Sequence, residues 1–211
     1  FHTSNKANIY FANRGDYSNQ SVTPWVGTAS SPDRTRMDPA RWKLYNCYIR
    51  RFKDSKMLAE MWFFADDSNF GGLSEADQKR LIGYALPRTS AFSHTMYVLA
   101  LEWDEGFTKT RINSLGKYFQ QLNPWGRVVS VHNNQADWQF GDQTWPDFIA
   151  TQTGNGAGPD QVNSTAPGMN STYGIPHIDE EFGVLSSDTD SRQPANIWAC
   201  LSGGAAGGGT G

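Results

Sequence analysis

Acidic and amide side chains follow nearly every apolar run of this sequence, at the point where the run ends. Two adjacent acidic pairs are the most informative: Asp104-Glu105 after the run 96–103, and Glu180-Glu181 after the run 175–179. Two carboxylates, one protonated and one ionised, are sufficient to hydrolyse a glycosidic bond. The hydroxyls of a carbohydrate also need hydrogen-bonding partners, and the other run ends would supply them: Asn13, Arg14, Asp16, Asp66, Asp67, His132, Asn133 and Gln152.

The apolar runs alternate with amphipathic helical stretches from end to end, which is typical of a parallel α/β sheet. The predicted strands cover residues 8–12, 57–65, 96–103, 128–131, 147–152 and 175–179. Helices are indicated by caps and apolar spacing, beginning at Pro39, at Ser74, before Ile112 and near Pro194. In a (β/α)8 TIM barrel the loops that follow the strands form the active site. The predicted fold class is therefore α/β, as a (β/α)8 TIM barrel.

The length of the chain bears on how much of a barrel is present. A complete barrel typically needs about 250 residues, whereas this chain has 211. Six strands are predicted, and the glycine-rich tail 203–211 could be a seventh. We therefore expect a single (β/α)8-type domain over residues 1–211, incomplete at the N-terminal side and part of a longer chain. A missing segment or self-association would cover the open strand edges.

Two motifs resemble a known superfamily. The strand ending Leu99-Ala-Leu-Glu-Trp-Asp-Glu105 and, three strands later, the strand ending Ile178-Asp-Glu-Glu-Phe-Gly183 resemble the two signatures of retaining (β/α)8-barrel glycoside hydrolases. The tail 195–211 resembles the last helix and the entry to strand 8 in apiosidase-like and cellulase-like members. The resemblance implies a retaining glycosidase with Glu105 as acid/base on strand 4 and Glu181 as nucleophile on strand 7. It also implies that His132, at the end of strand 5, lies near the acid/base.

The resemblance leaves two alternatives open. The superfamily usually has Asn before the acid/base, and this chain has Asp104, so either the contact to the sugar differs or Asp104 is itself catalytic. At the other motif, a shift of one residue in register would exchange the faces of Glu180 and Glu181, and the Glu-Phe-Gly pattern favours Glu181. We interpret Glu102 as a partner in a structural ion pair rather than as a catalytic group.

Aromatic residues make up 13% of the sequence, and rings with polar edges suit a sugar-binding cleft. Trp25, Trp138 and Trp145 follow loop-like sequence, which favours a platform for sugar over core packing. The residues that we expect to bind substrate are Asp104, His132, Asn133, Trp103, Asp66 and Trp138.

Several function classes are disfavoured. A net charge of -3 provides no basic field for nucleic acid, and no apolar run reaches the roughly 18 residues of a membrane span. The four histidines lack the spacing of metal ligands, and no Gly-x-Ser-x-Gly elbow is present. We therefore expect no metal and no cofactor. The alternative to an enzyme is a non-catalytic carbohydrate-binding or structural protein on a degenerate barrel.

Three further expectations concern the surface and the loops. Glycosylation sequons at Asn19, Asn163 and Asn170 favour an extracellular protein. The two cysteines, Cys47 and Cys200, lie in apolar helical patterns and are expected to be buried thiols. The stretch 154–174 is rich in Gly, Pro, Asn and Ser, which indicates either a long active-site loop or a helix replaced by loop.

Overall fold

The computed structural model describes residues 6–11, 23–28, 31–64, 73–154, 156–182 and 192–209. Candidates from the sequence that lie outside the described residues are Asn13, Arg14, Asp16, Asn19, Asp66, Asp67 and Gly183. The chain divides into two compact units, Phe1–Val129 and Ser130–Gly211.

A parallel sheet organises the first unit. It contains β1 (Lys6–Tyr10), β4 (Leu58–Phe64) and β5 (Thr95–Ala100), with β6 (Val129–Ser130) beginning at the last residue of the unit. The predicted strands 57–65 and 96–103 are therefore present, although the second ends earlier than expected. Both β4 and β5 are buried along nearly their whole length, which explains why they read as continuous apolar runs.

Three helices accompany this sheet: α1 (Pro39–Asp54), α2 (Glu75–Thr89) and α3 (Lys109–Leu122). As the cap signals predict, the side chain of Asp38 accepts a hydrogen bond from the backbone of Ala40, 2.9 Å away, and Ser74 caps α2. The rings of Phe11 and Trp42 pack 5.1 Å apart in the core. Cys47 is exposed on α1, so the expectation of a buried thiol is wrong there, because the apolar face of the helix lies at other positions.

An antiparallel hairpin, β2 (Trp25–Thr28) and β3 (Ser31–Met37), precedes α1. The strands predicted from the sequence do not include this hairpin. Gly27 has a φ of 105°, and a Cβ added there would lie 2.6 Å from the carbonyl oxygen of Ser31. The hairpin therefore depends on glycine at that position.

A second parallel sheet organises the other unit, in the order β7 (His132–Asn133), β8 (Ile149–Gln152), β9 (His177–Glu181) and β10 (Gly207–Gly208). The possible strand in the glycine-rich tail is confirmed as β10, which pairs with β9. Two helices complete the unit, α4 (Pro159–Tyr173) and α5 (Arg192–Ser202).

Helix α4 corrects the expectation of a loop for the stretch 154–174, because Pro159–Tyr173 are helical. Its buried residues Val162, Ala166 and Met169 follow the spacing of four and three that places side chains on one helix face. Its composition of Asn, Ser and Gly hid this short apolar stripe. No helix in the described part of the chain is long and apolar enough to cross a membrane.

Candidate functional site

The first acidic pair lies on a turn that follows β5. The strand ends at Ala100, and residues Trp103–Glu105 form a single turn of 3-10 helix. The backbone N–H of Glu105 donates to the carbonyl oxygen of Glu102 over 3.0 Å. Asp104 and Glu105 are exposed, whereas the ring of Trp103 is buried. The acidic pair is therefore presented beyond the strand, on a turn anchored by an indole.

Glu102 is the strained residue of this turn. It has φ 39° and ψ 57°, a left-handed conformation that costs a residue with a side chain roughly 1–2 kcal/mol. Such strain concentrates at functional sites. The sequence indicated a strand through this position, because an apolar run contains no signal for a change of backbone hand.

The second acidic pair lies within β9, where the strand pairing is irregular. Thr151 is paired with Asp179 and Gln152 with Glu181, so the pairing passes over Glu180. This β-bulge redirects the side chains that follow it. Glu180 is only 6% exposed, whereas Glu181 is partly exposed. Of the two neighbours, Glu181 is therefore the one that solvent or substrate can reach.

Two further titratable groups of β9 are fully buried. Burial raises the pKa of Asp179 to about 6, and the nearby Glu181 carboxylate adds to this, while hydrogen bonds from Thr153 and from the backbone of Glu181 oppose it. Burial lowers the pKa of His177 to about 4. The ring nitrogen Nε2 of His177 lies 2.8 Å from Oγ1 of Thr151. At neutral pH, therefore, His177 is uncharged and Asp179 is mainly ionised.

The predicted substrate-binding residues His132 and Asn133 form strand β7 and are both buried. Asn133 donates from its side-chain amide to the carbonyl oxygen of Asp137, which holds the loop after the strand. The sequence indicated a strand that stops before His132, whereas in the structure His132 and Asn133 form a strand of their own after Val131. Their role in binding a sugar stays a prediction.

Three tryptophans predicted to form sugar platforms are instead packed in the interior. Trp25, Trp138 and Trp145 are each at most 3% exposed, so the expectation of open ring faces is wrong. In the second unit, Phe140 lies 5.6 Å from both Trp138 and Trp145, ring centre to ring centre. The indole N–H of Trp138 has no hydrogen-bond partner among the described residues.

Sequence reasoning also missed a buried carboxylate in the first unit. Glu60 lies in the middle of β4 and is fully buried, and the indole N–H of Trp62 donates to its Oε2 over 3.3 Å. The sequence analysis included Glu60 in a predicted strand without a role of its own. The one signal for a buried carboxylate was a single acid within an apolar run.

Among the described residues, no group of three His, Cys, Asp or Glu is placed to hold a metal ion.

The site residues thus fall into two local sets. The first comprises Trp103, Asp104 and Glu105 on one turn. The second comprises Glu181 and its strand neighbour Gln152, with Asn133 one strand further along the sheet. The side-chain oxygen of Gln152 is buried and has no hydrogen-bond partner among the described residues. Unsatisfied buried polar atoms require explanation, and a ligand hydroxyl would satisfy this one.

Comparisons with known proteins support the fold. No protein-family model matches the chain, and no curated protein does. A protein from Bacteroides vulgatus assigned as a glycoside hydrolase is similar in structure, with a TM-score of 0.83 and 19% identity over 98% of this chain and 45% of that protein. A family 5 glycoside hydrolase from the same organism has a TM-score of 0.73 and 16% identity over 98% of this chain and 52% of its own.

A third solved structure is a family 5 glycoside hydrolase from Prevotella bryantii in complex with a xyloglucan tetradecasaccharide. It has a TM-score of 0.67 and 9% identity over 98% of this chain and 74% of its own. The chain spans about half the length of the first two structures. The predicted fold class is confirmed: this chain is α/β and has the fold of part of the (β/α)8 TIM barrel of these structures.

Proposed function

We propose that this chain is the catalytic part of a retaining glycoside hydrolase that cleaves O-glycosidic bonds of a polysaccharide or oligosaccharide. The observation that carries the proposal is the end of β9, where the bulge leaves Glu181 accessible beside a buried Glu180. Glu181 is also the Glu of the Glu-Phe-Gly motif. The fold is the one in which strand ends carry active-site groups, and it supports the proposal without deciding it.

In this mechanism Glu181 is the nucleophile. Its ionised carboxylate attacks the anomeric carbon, and a covalent glycosyl-enzyme forms as the bond to the leaving oxygen breaks. The acid/base protonates that leaving oxygen in the first step. In the second step it removes a proton from water, which displaces Glu181 and restores the free enzyme. Neither step requires a metal or a cofactor.

We assign the acid/base to the turn after β5, with Glu105 as the residue that the superfamily motif indicates. Its exposure would let it exchange protons with solvent between the two steps. Glu102 is the other candidate for the acid/base, because its left-handed backbone is strained at the end of the strand. Asp104, which stands where the superfamily has Asn, would contact the sugar. Trp103, His132, Asn133 and the indole N–H of Trp138 complete the proposed contacts to the substrate.

The test is hydrolysis of a panel of 2,4-dinitrophenyl glycosides and soluble polysaccharides, xyloglucan included, by the wild-type chain. Glu105→Gln, Glu102→Gln and Glu181→Gln are measured beside it. Asp54→Asn, an exposed acid at the end of α1, is the matched control. We expect turnover by wild type and control, a large loss on every substrate in Glu181→Gln, and a large loss on the polysaccharides in Glu105→Gln. A folded wild type that hydrolyses none of the panel would contradict the proposal, and binding without turnover would favour the non-catalytic carbohydrate-binding alternative.

An extracellular location stays a prediction. Two of the three sequons that suggested it are on α4, and both asparagine amides are engaged. Asn163 donates to the carbonyl oxygen of Ala199 over 2.9 Å, and Asn170 donates to that of Gly204 over 2.7 Å. A glycan on either nitrogen would break these contacts, so neither sequon adds support for a secreted protein.

A further inference from the structure

We propose that Asp179 is a positioning residue for Glu181, which it holds in place by fixing the bulge at the end of β9. The inference rests on the proposed role of Glu181 as nucleophile. Asp179 lies two residues before Glu181, within the motif 178–183, and the sequence assigned it no role.

Hydrogen bonds to Asp179 converge at the residue where the strand register shifts. The backbone N–H of Thr153 donates to Oδ1 of Asp179 over 3.1 Å, and the hydroxyl of Thr153 donates to Oδ2. The backbone N–H of Glu181 also donates to this carboxylate. One side chain therefore ties the segment after β8 to the backbone of Glu181. The bulge between these contacts cannot slide without breaking them.

Backbone contacts anchor the same strand on both sides. Gly209, after β10, donates its N–H to the carbonyl oxygen of Asp179 over 2.8 Å. Gly154, after β8, donates to the carbonyl oxygen of Glu181 over 3.3 Å. Glu181 is thus held through its own N–H and its own carbonyl. A nucleophile needs this kind of support, because misplacement by about 1 Å can cost a hundredfold in rate.

A second buried side chain holds the next residue. Asn196 of α5 is fully buried and donates from its amide to the carbonyl oxygen of Phe182 over 3.3 Å. The same amide donates to Ala157 over 3.0 Å. The backbone on both sides of Glu181 is therefore fixed by buried polar side chains. Such groups are costly to bury unless every contact is made.

Charge also links Asp179 to Glu181. The carboxylate of Glu181 is the charged group of β9 that raises the pKa of Asp179, and the coupling must act in both directions. From α5, the group that faces Asp179 is the thiol of Cys200, whose pKa is raised to about 12, first by burial and then by Asp179, so it is neutral. β8 contributes the uncharged Thr153, β10 contributes glycines, and His177 is neutral above about pH 4.

The test compares Asp179→Asn with wild type in the full chain. The backbone N–H of Glu181 donates to the Asp179 carboxylate, so its amide ¹H shift should follow the titration of Asp179, with a midpoint at about pH 6 in wild type. Asp179→Asn keeps the shape of the side chain but has no proton to titrate, so this step should disappear. The shift is assigned with Glu181→Gln. On the 2,4-dinitrophenyl glycoside that wild type hydrolyses fastest, kcat should fall at least about tenfold while KM changes little.

Two variants separate positioning from loss of stability. Thr153→Val removes the hydroxyl donor but keeps the backbone N–H and the carboxyl of Asp179, so a smaller loss of kcat is expected. The Glu181 amide should keep its titration step, at a higher midpoint, because a hydrogen bond that lowers the pKa of Asp179 is lost. If Asp179→Asn does not fold, Thr153→Val still tests whether the hydrogen bonds to Asp179 support kcat. Asn163→Ala removes a side-chain bond between α4 and α5 that does not touch β9, and it should lower the melting temperature without changing kcat or the midpoint.

The inference is overturned if Asp179→Asn keeps the titration step of the Glu181 amide and a kcat within twofold of wild type. It is also overturned if Asn163→Ala, at equal loss of melting temperature, loses as much kcat as the β9 variants. If the wild type hydrolyses none of the panel, the proposed function fails instead. The titration of the Glu181 amide in Asp179→Asn then supports or overturns the contact between Asp179 and Glu181 on its own.

Discussion

The two strand ends that bear acidic pairs differ in almost every physical respect. After β5, Asp104 and Glu105 are exposed on a short 3-10 turn. In β9, the acidic residues remain within the strand, where Asp179 and Glu180 are buried and only Glu181 is partly exposed. One end offers carboxylates on a solvated turn. The other fixes one carboxylate in a network of buried hydrogen bonds.

This difference suits the two roles in the proposed mechanism. A nucleophile must stay ionised and aligned with one atom, and a rigid, hydrogen-bonded strand provides such alignment. An acid/base must take up a proton in one step and release it in the next, and a turn in contact with solvent allows this exchange. Similar acidic pairs in the sequence therefore lead to different chemistry, because their backbone surroundings differ.

The largest expected effect separates the two ends by their dependence on the leaving group. Glu181→Gln should lose roughly 10⁴-fold in kcat on every substrate. In kcat/KM, Glu105→Gln should lose a similar factor on polysaccharide but little on 2,4-dinitrophenyl glycosides, because kcat/KM reports the first step and dinitrophenolate departs without protonation. Kinetics on the two substrate classes measure this directly. Azide should restore turnover in Glu181→Ala, and the product should be a glycosyl azide of inverted configuration. If Glu105→Gln loses equally on both substrate classes, Glu105 is not the acid/base.

More of the fold than of the candidate site could be predicted from the sequence. Alternating runs indicated the strands of both sheets, since β4 and β5 are buried on both faces and leave a continuous apolar signal. The hairpin β2–β3 was missed, because its apolar content is low and its turn depends on the backbone of Gly27. Neither the bulge at Glu180 nor the left-handed Glu102 leaves a pattern in side-chain polarity. Asp179 was missed because it directly precedes Glu180 and Glu181, and the sequence does not show which acid of such a run accepts hydrogen bonds from the backbone.

The next effect concerns the buried pair of β9 and its dependence on pH. The pKa of Asp179 rises from 3.8 to about 6 on folding, so the folded state binds more protons between pH 4 and 6, and stability falls as pH rises. The pKa of His177 falls from 6.5 to about 4, so the unfolded state binds more protons and stability rises over nearly the same range. Each contribution is roughly 3 kcal/mol, and the two nearly cancel.

Single substitutions should expose each contribution. Between pH 4 and 6 the unfolding free energy of Asp179→Asn should rise by roughly 3 kcal/mol relative to wild type, and that of His177→Gln should fall by a similar amount. Urea unfolding at pH 4, 5 and 6 measures both slopes. Slopes equal to that of wild type in both variants would show that neither group changes its pKa on folding.

A smaller effect tests how tightly β9 is packed against its neighbours. A Cβ at Gly208 would lie 2.7 Å from Cε1 of Phe182 and 3.1 Å from the sulfur of Cys200. Gly208→Ala should therefore lower the unfolding free energy by about 1–3 kcal/mol. Gly207→Ala is the matched control, because its Cβ would meet only Ile178 at 3.7 Å. Equal unfolding free energies for the two variants would mean that Phe182 and Cys200 move aside for the added methyl group without loss of stability.

The smallest effect returns to the turn after β5. Glu102 (φ 39°) and Lys56 (φ 58°) are the two residues other than glycine with positive φ among those described. Replacing either with glycine should relieve strain and raise the unfolding free energy by about 1 kcal/mol. Lys56→Gly is the control, since Lys56 is exposed just beyond α1 and its change should leave kcat unaltered. If Glu102→Gly gains the same stability and keeps full activity, the strain at Glu102 serves no catalytic purpose, and the acid/base assignment stays with Glu105. A gain in stability with a loss of kcat would transfer the acid/base role to Glu102, because strain kept at a cost to stability then has a function in the reaction.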